Sequence, residues 1–340
     1  MKPNHSKNKK IKLILLSIAV LIFLFVLYTV VGGKCIKYKY KNNNQNITLA
    51  NWMASLDDNA LINNVVIPGS HDSGCYDMVY VGETQKYSFY EQLMVGVRYF
   101  DIRINKLSDD NYVIYHSIIN GKYQAENIFK DLSNFLKEHN TEFLILDFQH
   151  FSNDSQARVY ELVNTYFKDM MVENNTELSD LAYIDSLKVK DVRGKCIILF
   201  GENSSYCGNN YIFSRNDDSC SKKNQVLDSY YVTEINGLSS KKYIETGLPF
   251  YIDKIKEKIS CEEKGLFVLQ SQLTDTALIF GPWSKERSHE KNMSKYINNL
   301  KDSKDLELIN IIMRDFINEK KTKEIINLNY YKNIINNKFE

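Results

Sequence analysis

The sequence predicts an α/β protein: a (β/α)8-type TIM barrel, complete or irregular, preceded by an N-terminal transmembrane helix. Three observations predict it. Eight short apolar runs recur along the chain, several without the two-residue alternation of a half-exposed sheet. Patterns of helical period lie between some of them, as in a parallel barrel. One charge-free stretch near the N-terminus is long enough to cross a bilayer. An open doubly wound sheet is the alternative that suits the same pattern.

Residues 1–12 carry five lysines and no acid. Residues 13–31, LILLSIAVLIFLFVLYTVV, then run without a charge. A helix of that length rises about 28 Å, close to the hydrocarbon thickness. A cleaved signal peptide has a shorter apolar core, about 7–15 residues, and ends in a small-residue cleavage site. The stretch is therefore read as an uncleaved signal anchor of a single-pass membrane protein. The positive-inside rule puts the N-terminus in the cytoplasm. Lys34, Lys37, Lys39 and Lys41 weaken that bias. The rest of the chain is expected to be extracytoplasmic or lumenal, with a cleaved and secreted form as the alternative. Residues 32–50 read as a linker. Residues 51–340 read as one barrel domain, with no internal repeat.

Charge is nearly balanced, 43 basic residues against 42 acidic. No global field argues for nucleic acid, and no nucleic-acid partner is expected. Among six cysteines, Cys207 and Cys220 flank a polar loop. They could close a disulfide in an oxidising compartment, and free thiols fit equally well. Cys196 sits in an apolar run and is expected in the core. No cysteine or histidine spacing suits zinc. The glycosylation sequons at Asn46, Asn153, Asn203 and Asn292 carry little weight in an Asn-rich chain.

The apolar runs are 64–67, 97–104, 112–115, 143–148, 196–200, 231–235, 266–270 and 309–313. Helical periodicity covers 124–137, 154–171, 243–259 and 291–300. After the first run, Pro68-Gly69 is expected to turn the chain out of the sheet. In a parallel barrel the site lies at the C-terminal strand ends. Polar residues there include His71 and Asp72, Asp101 and Arg103, His116, then Asp147, Gln149 and His150, and Asp315. Each alone suits a hydrogen-bonded or capping role. Together they put two histidines, an arginine and carboxylates at one barrel mouth. His5, His139 and His289 sit in polar stretches and are expected to be exposed.

Two histidines and an arginine suit phosphoester chemistry. One imidazole can take a proton from an attacking hydroxyl while the other protonates the leaving oxygen. A guanidinium offers a rigid fork to phosphate oxygens. A carboxylate behind the base fixes its tautomer.

The stretches IPGSHDSG, QLMVGVRYFDIRI, VIYHS, EFLILDFQHF and NIIMRDFIN occur in that order. Over residues 51–318 they resemble the X domain of phosphatidylinositol-specific phospholipase C, in its small X-domain-only and bacterial forms. The resemblance implies a lyase releasing diacylglycerol and a cyclic inositol phosphate. It implies His71 as general base toward the inositol 2-hydroxyl and His116 as general acid toward the leaving oxygen. Arg103 then binds phosphate, Asp72 pairs with that arginine, Asp315 orients His71, and Asp101 supports the group. A phospholipid membrane and a phosphoinositide are the implied partners.

Calcium-dependent relatives carry acidic residues where this chain has Arg103 and Gln149. A guanidinium there replaces the charge of a divalent ion, so no metal and no other cofactor is expected. Bacterial enzymes place basic residues near Gln149 and just after the fifth strand, where this chain reads Phe200-Gly201-Glu202. Recognition of the headgroup is therefore the least defined feature. Gln149 and Glu234 are candidate headgroup-binding residues. Trp283, in GPWSKERSH, is a candidate lipid contact on a loop. Two alternatives stand beside this reading: another phosphodiester hydrolase on the same barrel, and a non-catalytic module binding phospholipid headgroups.

Overall fold

The computed structural model describes residues 5–31, 48–152, 154–175, 177–201, 204–207, 211–215, 225–261, 264–274 and 281–339. Cys220, Glu202, most of the expected linker and the sequons at Asn46, Asn153 and Asn203 lie outside these residues.

Ten strands are described. They are β1 (Ile67–Ser70), β2 (Tyr99–Ser108), β3 (Asn111–His116), β4 (Ile119–Gln124), β5 (Leu144–Ser152), β6 (Cys196–Phe200), β7 (Ile212–Arg215), β8 (Gln225–Asp228), β9 (Leu266–Gln270) and β10 (Ile311–Arg314). Eight of them, β1, β2 and β5 to β10, pair in parallel around a full circle, closed by β1 against both β10 and β2. Helices surround this barrel, among them Ala125–Glu138, Gln156–Phe167, Leu248–Cys261 and Gly281–Leu300.

The expected count of eight barrel strands is met by a different set. The run 112–115 is β3, which folds back antiparallel on β2 and forms a hairpin with β4 outside the barrel. It reads like a barrel strand because Val113 and Ile114 are buried under that hairpin. The run 231–235 is no strand, and Thr233–Asn236 is a single helical turn. β7 and β8 take the two vacant places. Each spans four residues, too short to show a period. Pro68 and Gly69 also lie inside β1 rather than after it. Proline's fixed φ suits an extended strand. Its carbonyl still accepts from the Arg98 amide at 3.0 Å. Gly69 lets the ring of Tyr99 approach, since a Cβ there would lie 2.8 Å from Tyr99 Cδ1.

Side chains alternate in and out along each strand. Ile67, Tyr99, Ile145, Ile197, Val268, Ile311 and Met313 join one core cluster, which fills the barrel. Their neighbours Phe100, Leu144, Leu146, Ile198, Leu269 and Ile312 join the other, beneath the helices.

The turn Leu49–Ser55 seals the N-terminal end, burying Leu49, Ala50, Trp52 and Met53, so the folded unit includes residues assigned to the linker. Arg98 holds this seal in place. It is fully buried, donates from Nη2 to Ala50 O at 2.6 Å, and pairs with buried Glu142 at 2.8 Å. Removing one partner of a buried pair costs about 3–5 kcal/mol. Arg98→Met is expected to lower the unfolding free energy by about that amount, checked by chemical denaturation.

A helix spans His5–Val31, and the described side chains 9–27 are exposed. Lys9–Leu27 is long and apolar enough to cross a membrane, a criterion that a signal sequence also meets.

Candidate active site

The parity that fills the barrel also builds its mouth. Two residues beyond Gly69 comes His71, and beyond Tyr99 come Asp101 and Arg103. Asp147 and Gln149 follow Ile145, and Asp315 follows Met313. In the β2–β5 pair the register shifts between Ile102 and Arg103, so that Arg103 pairs with His150. That bulge lets two consecutive residues, Gln149 and His150, line one cavity.

Asp72 is the hub of the mouth. Its carboxylate is buried. Oδ1 lies 2.7 Å from Arg103 Nε. Oδ2 lies 3.3 Å from His71 Nε2 and 3.4 Å from His116 Nε2. Both imidazoles thus face one carboxylate oxygen. The second face of Arg103 is taken by Asp101, 3.1 Å from Nη2. Asp101 also accepts from the Asp72 amide at 3.1 Å. Across the mouth, Asp315 Oδ1 lies 2.7 Å from His71 Nδ1.

The backbone is strained at these positions. Asp72 (φ 41°), Ser117 (φ 55°) and Phe316 (φ 45°) are three of the six described non-glycine residues with positive φ. Each directly follows one of His71, His116 and Asp315. A phenylalanine in this region is unusual, and surrounding contacts must hold it there.

These contacts set the charges. Burial opposes protonation of His71, but the charges of Asp72 and Asp315, with the Asp315 hydrogen bond, raise its pKa to about 9. Burial pushes Asp72 up, yet Arg103, His71 and His116 outweigh it and bring its pKa down to about 2. Burial raises Asp315, and His71 only partly offsets this. Arg103 loses from burial and gains more from Asp101 and Asp72, so it stays charged.

The cavity measures about 250 Å³ and is lined by His71, Asp72, Arg103, His116, Gln149 and His150, with Arg215, Ser229, Tyr231 and Gln270 opposite. Gln149 Nε2 donates to Asp147 Oδ2 at 3.3 Å and to the Tyr99 hydroxyl at 3.4 Å. Arg215 is the residue that sequence reasoning missed. It ends β7 and pairs through Nε with buried Asp147 at 3.1 Å. It lies against Gly201, where a Cβ would stand 2.7 Å from Arg215 Cδ. A basic group thus reaches the mouth from β7 rather than from the end of β6. The pairing of an apolar IF with a following arginine was too short a signal to find it.

Other expectations meet a different setting in the structure. Glu234 is exposed on its helical turn and does not line the cavity. The GPWSKERSH stretch is not a loop but the first half of the helix Gly281–Leu300. Trp283 is half-buried there and packs edge-on against Phe316, 5.0 Å between centroids. His289 is fully buried, with Ser240 Oγ and Ser271 O at 2.9 and 3.0 Å, and His139 is half-buried on the Phe135 ring.

His71, Asp72 and Asp101 present ligand atoms within 4.8 Å of one another. A divalent ion there would meet the Arg103 guanidinium, which already binds both carboxylates. The set also offers few oxygens to a hard cation.

Fold and site together define a closed parallel barrel with an arginine, two histidines and their carboxylates at its C-terminal mouth. Residues 59–201 match the family model for the phosphatidylinositol-specific phospholipase C X domain. The 1-phosphatidylinositol phosphodiesterase of Listeria monocytogenes is 29% identical over 332 residues, covering 92% of this chain and 96% of the relative. The solved phosphatidylinositol-specific phospholipase C of Listeria monocytogenes superposes with a TM-score of 0.66 at 27% identity, covering 86% of this chain and all of that one. The human PI-PLC X domain-containing protein 2 is 33% identical over 135 residues, covering 30% of this chain and 44% of the relative. The chain belongs to the phosphatidylinositol-specific phospholipase C X-domain family, and this kinship supports a phosphodiesterase.

The His71 shift carries a pH dependence. Its folded pKa, about 9, lies above its ordinary 6.5. The stabilisation is complete below pH 6.5 and is lost as pH rises toward 9. Thermal unfolding scans are expected to show a fall in Tm across that window that His71→Gln flattens.

Proposed function

We propose that this protein is a membrane-anchored, calcium-independent phosphatidylinositol-specific phospholipase C-like lyase. The observation that carries the reading is the shared oxygen of Asp72, faced by Nε2 of both His71 and His116 while Arg103 holds the other oxygen. Two imidazoles of opposite protonation state and one guanidinium are what transesterification at phosphorus needs.

His71 acts from its neutral form, a minority at pH 7 because its pKa is raised to about 9, and takes the proton of the inositol 2-hydroxyl at Nε2. That oxygen forms a bond to phosphorus as the bond to the glycerol oxygen breaks. His116, protonated, gives its proton to the departing diacylglycerol oxygen. Arg103 binds the phosphate oxygens and stabilises their charge in the transition state. Asp315 accepts from His71 Nδ1 and so keeps Nε2 available. Asp101 fixes the arginine from behind. The products are diacylglycerol and a cyclic inositol phosphate. The names of the Listeria monocytogenes relatives support the substrate class.

Arg215 and Gln149 face the cavity from the inositol side of this arrangement and are assigned to the headgroup. The N-terminal helix is assigned as a signal anchor holding the barrel outside the cytoplasm. Arg103 serves in place of calcium.

The full chain, purified in detergent, is expected to release diacylglycerol from phosphatidylinositol in mixed micelles. His71→Ala and His116→Ala are each expected to lose at least about 10²-fold in kcat. A chelator is expected to leave the rate unchanged. Activity lost to chelator and restored by calcium would contradict the role given to Arg103. Gly201→Ala, which displaces Arg215 without touching either histidine, is expected to raise KM far more than it lowers kcat.

A further inference from the structure

Beneath the mouth lies a buried charged cluster that the reaction above does not use. Glu286, from the helix Gly281–Leu300, pairs with Arg314 Nη2 at 2.8 Å and with Lys321 Nζ at 2.6 Å. All three side chains are buried. A buried lysine is costly unless its donors are satisfied. Lys321 spends a second donor on the backbone carbonyl of Asp315, at 2.8 Å. Its own amide is capped by Asn318, so the helix Glu319–Ile326 starts just where Lys321 can reach back.

The peptide that Lys321 grips is the strained one. Phe316 follows at φ 45°. Its amide donates to Thr84 O at 2.7 Å, and the Ile317 amide donates to Gln85 Oε1 at 3.0 Å. Gln85 Nε2 in turn donates to His71 O at 2.8 Å and to Arg314 O at 3.1 Å. These contacts hold the two segments that carry His71 and Asp315 in one register. Thr84 and Gln85 supply neutral contacts, and Lys321 supplies the charge-assisted one.

We propose that Lys321, itself held by Glu286, is a positioning residue that locks the strained Asp315–Phe316 turn and so keeps the Asp315 carboxylate on His71. The catalytic consequence rests on the acid–base reading given above. The groups facing His71 are Asp72 from its own loop, Asp315 just past β10, Asp101 and Arg103 from β2, and His116 from β3. Glu286 and Lys321 stand behind Asp315, and His150 and Arg215 face the same cavity. Of these, Asp72 and Asp315 raise the His71 pKa most strongly. Loosening the turn withdraws one of the two, while the ammonium removed with Lys321 is one that Glu286 already screens.

The test compares Lys321→Arg, Lys321→Gln and Lys321→Met in the full chain. Two quantities are read: kcat and KM on phosphatidylinositol, and the His71 titration by NMR of ¹³C-histidine, assigned with His71→Gln. Lys321→Met is expected to lose about 10–100-fold in kcat, the worth of one charge-assisted hydrogen bond, with KM within about twofold. Lys321→Gln, which keeps a donor, is expected to fall between, and Lys321→Arg to stay within about threefold of the natural protein. The His71 midpoint is expected to move down toward 6.5 in the Met variant and less in the Gln variant. An unmoved midpoint in both, or an Arg variant as impaired as the Met one, overturns the proposal. If the Met variant does not fold, the Arg and Gln variants decide alone. If the natural protein does not cleave the lipid, the lyase reading fails, and the His71 titration still judges Lys321.

Discussion

One buried carboxylate, Asp72, constrains the whole mouth. Its two oxygens meet a guanidinium and two imidazoles, while the neighbouring carboxylates of Asp101 and Asp315 are paired with Arg103 and His71. Desolvation alone would drive such a group neutral. Its partners hold it ionised, and in return it holds them. Arg103 is fixed as a fork toward the cavity, and Nε2 of His71 and Nε2 of His116 converge on one oxygen. The arrangement exists because β1 ends where β2 and the β2–β3 extension run past it. A barrel without the hairpin would leave His116 with no route to the mouth.

The mouth also stands on deeper buried pairs, each on a different strand end. Arg215 with Asp147 braces β7 against β5. Arg314 and Lys321 with Glu286 brace β10 against two surrounding helices. Arg98 with Glu142 closes the opposite end. Buried ion pairs are poor sources of net stability but define geometry sharply, because breaking either partner leaves an uncompensated charge. Strain collects at the top of this scaffold, at Asp72, Ser117 and Phe316, where it aims side chains rather than stabilising the fold.

The parts legible in the sequence were those with a long enough period or a dense enough motif. β6 and β9 lie on their predicted runs, and the helix Ala125–Glu138 lies within a residue of its pattern. His71 and Arg103 stand together because alternation along β1 and β2 forces strand-end residues onto the face that fills the barrel, whereas Asp72 joins them from the turn after β1 and His116 from the hairpin strand β3. β7 and β8 were illegible: four residues give no period, and Arg215 was hidden with them. The hairpin strand β3 was mistaken for a barrel strand because an apolar pair looks alike beneath either partner. GPWSKERSH looked like a loop because proline and glycine open it. Proline is tolerated in the first turn of a helix, and here Pro282 directly follows Gly281 at the helix start. His289 looked exposed because its neighbours are charged, yet its place on the inner face of that helix buries it.

The central claim is that the attacking oxygen comes from the substrate's own ring and that two histidines pass the protons. The most direct test follows phosphatidylinositol cleavage in ¹⁸O-water by ³¹P NMR and mass spectrometry of the headgroup product. A cyclic phosphodiester free of ¹⁸O, present before any phosphomonoester, is the predicted first product. A phosphomonoester carrying ¹⁸O from the earliest time point would mean that water attacks phosphorus, and would contradict the roles assigned to His71 and His116.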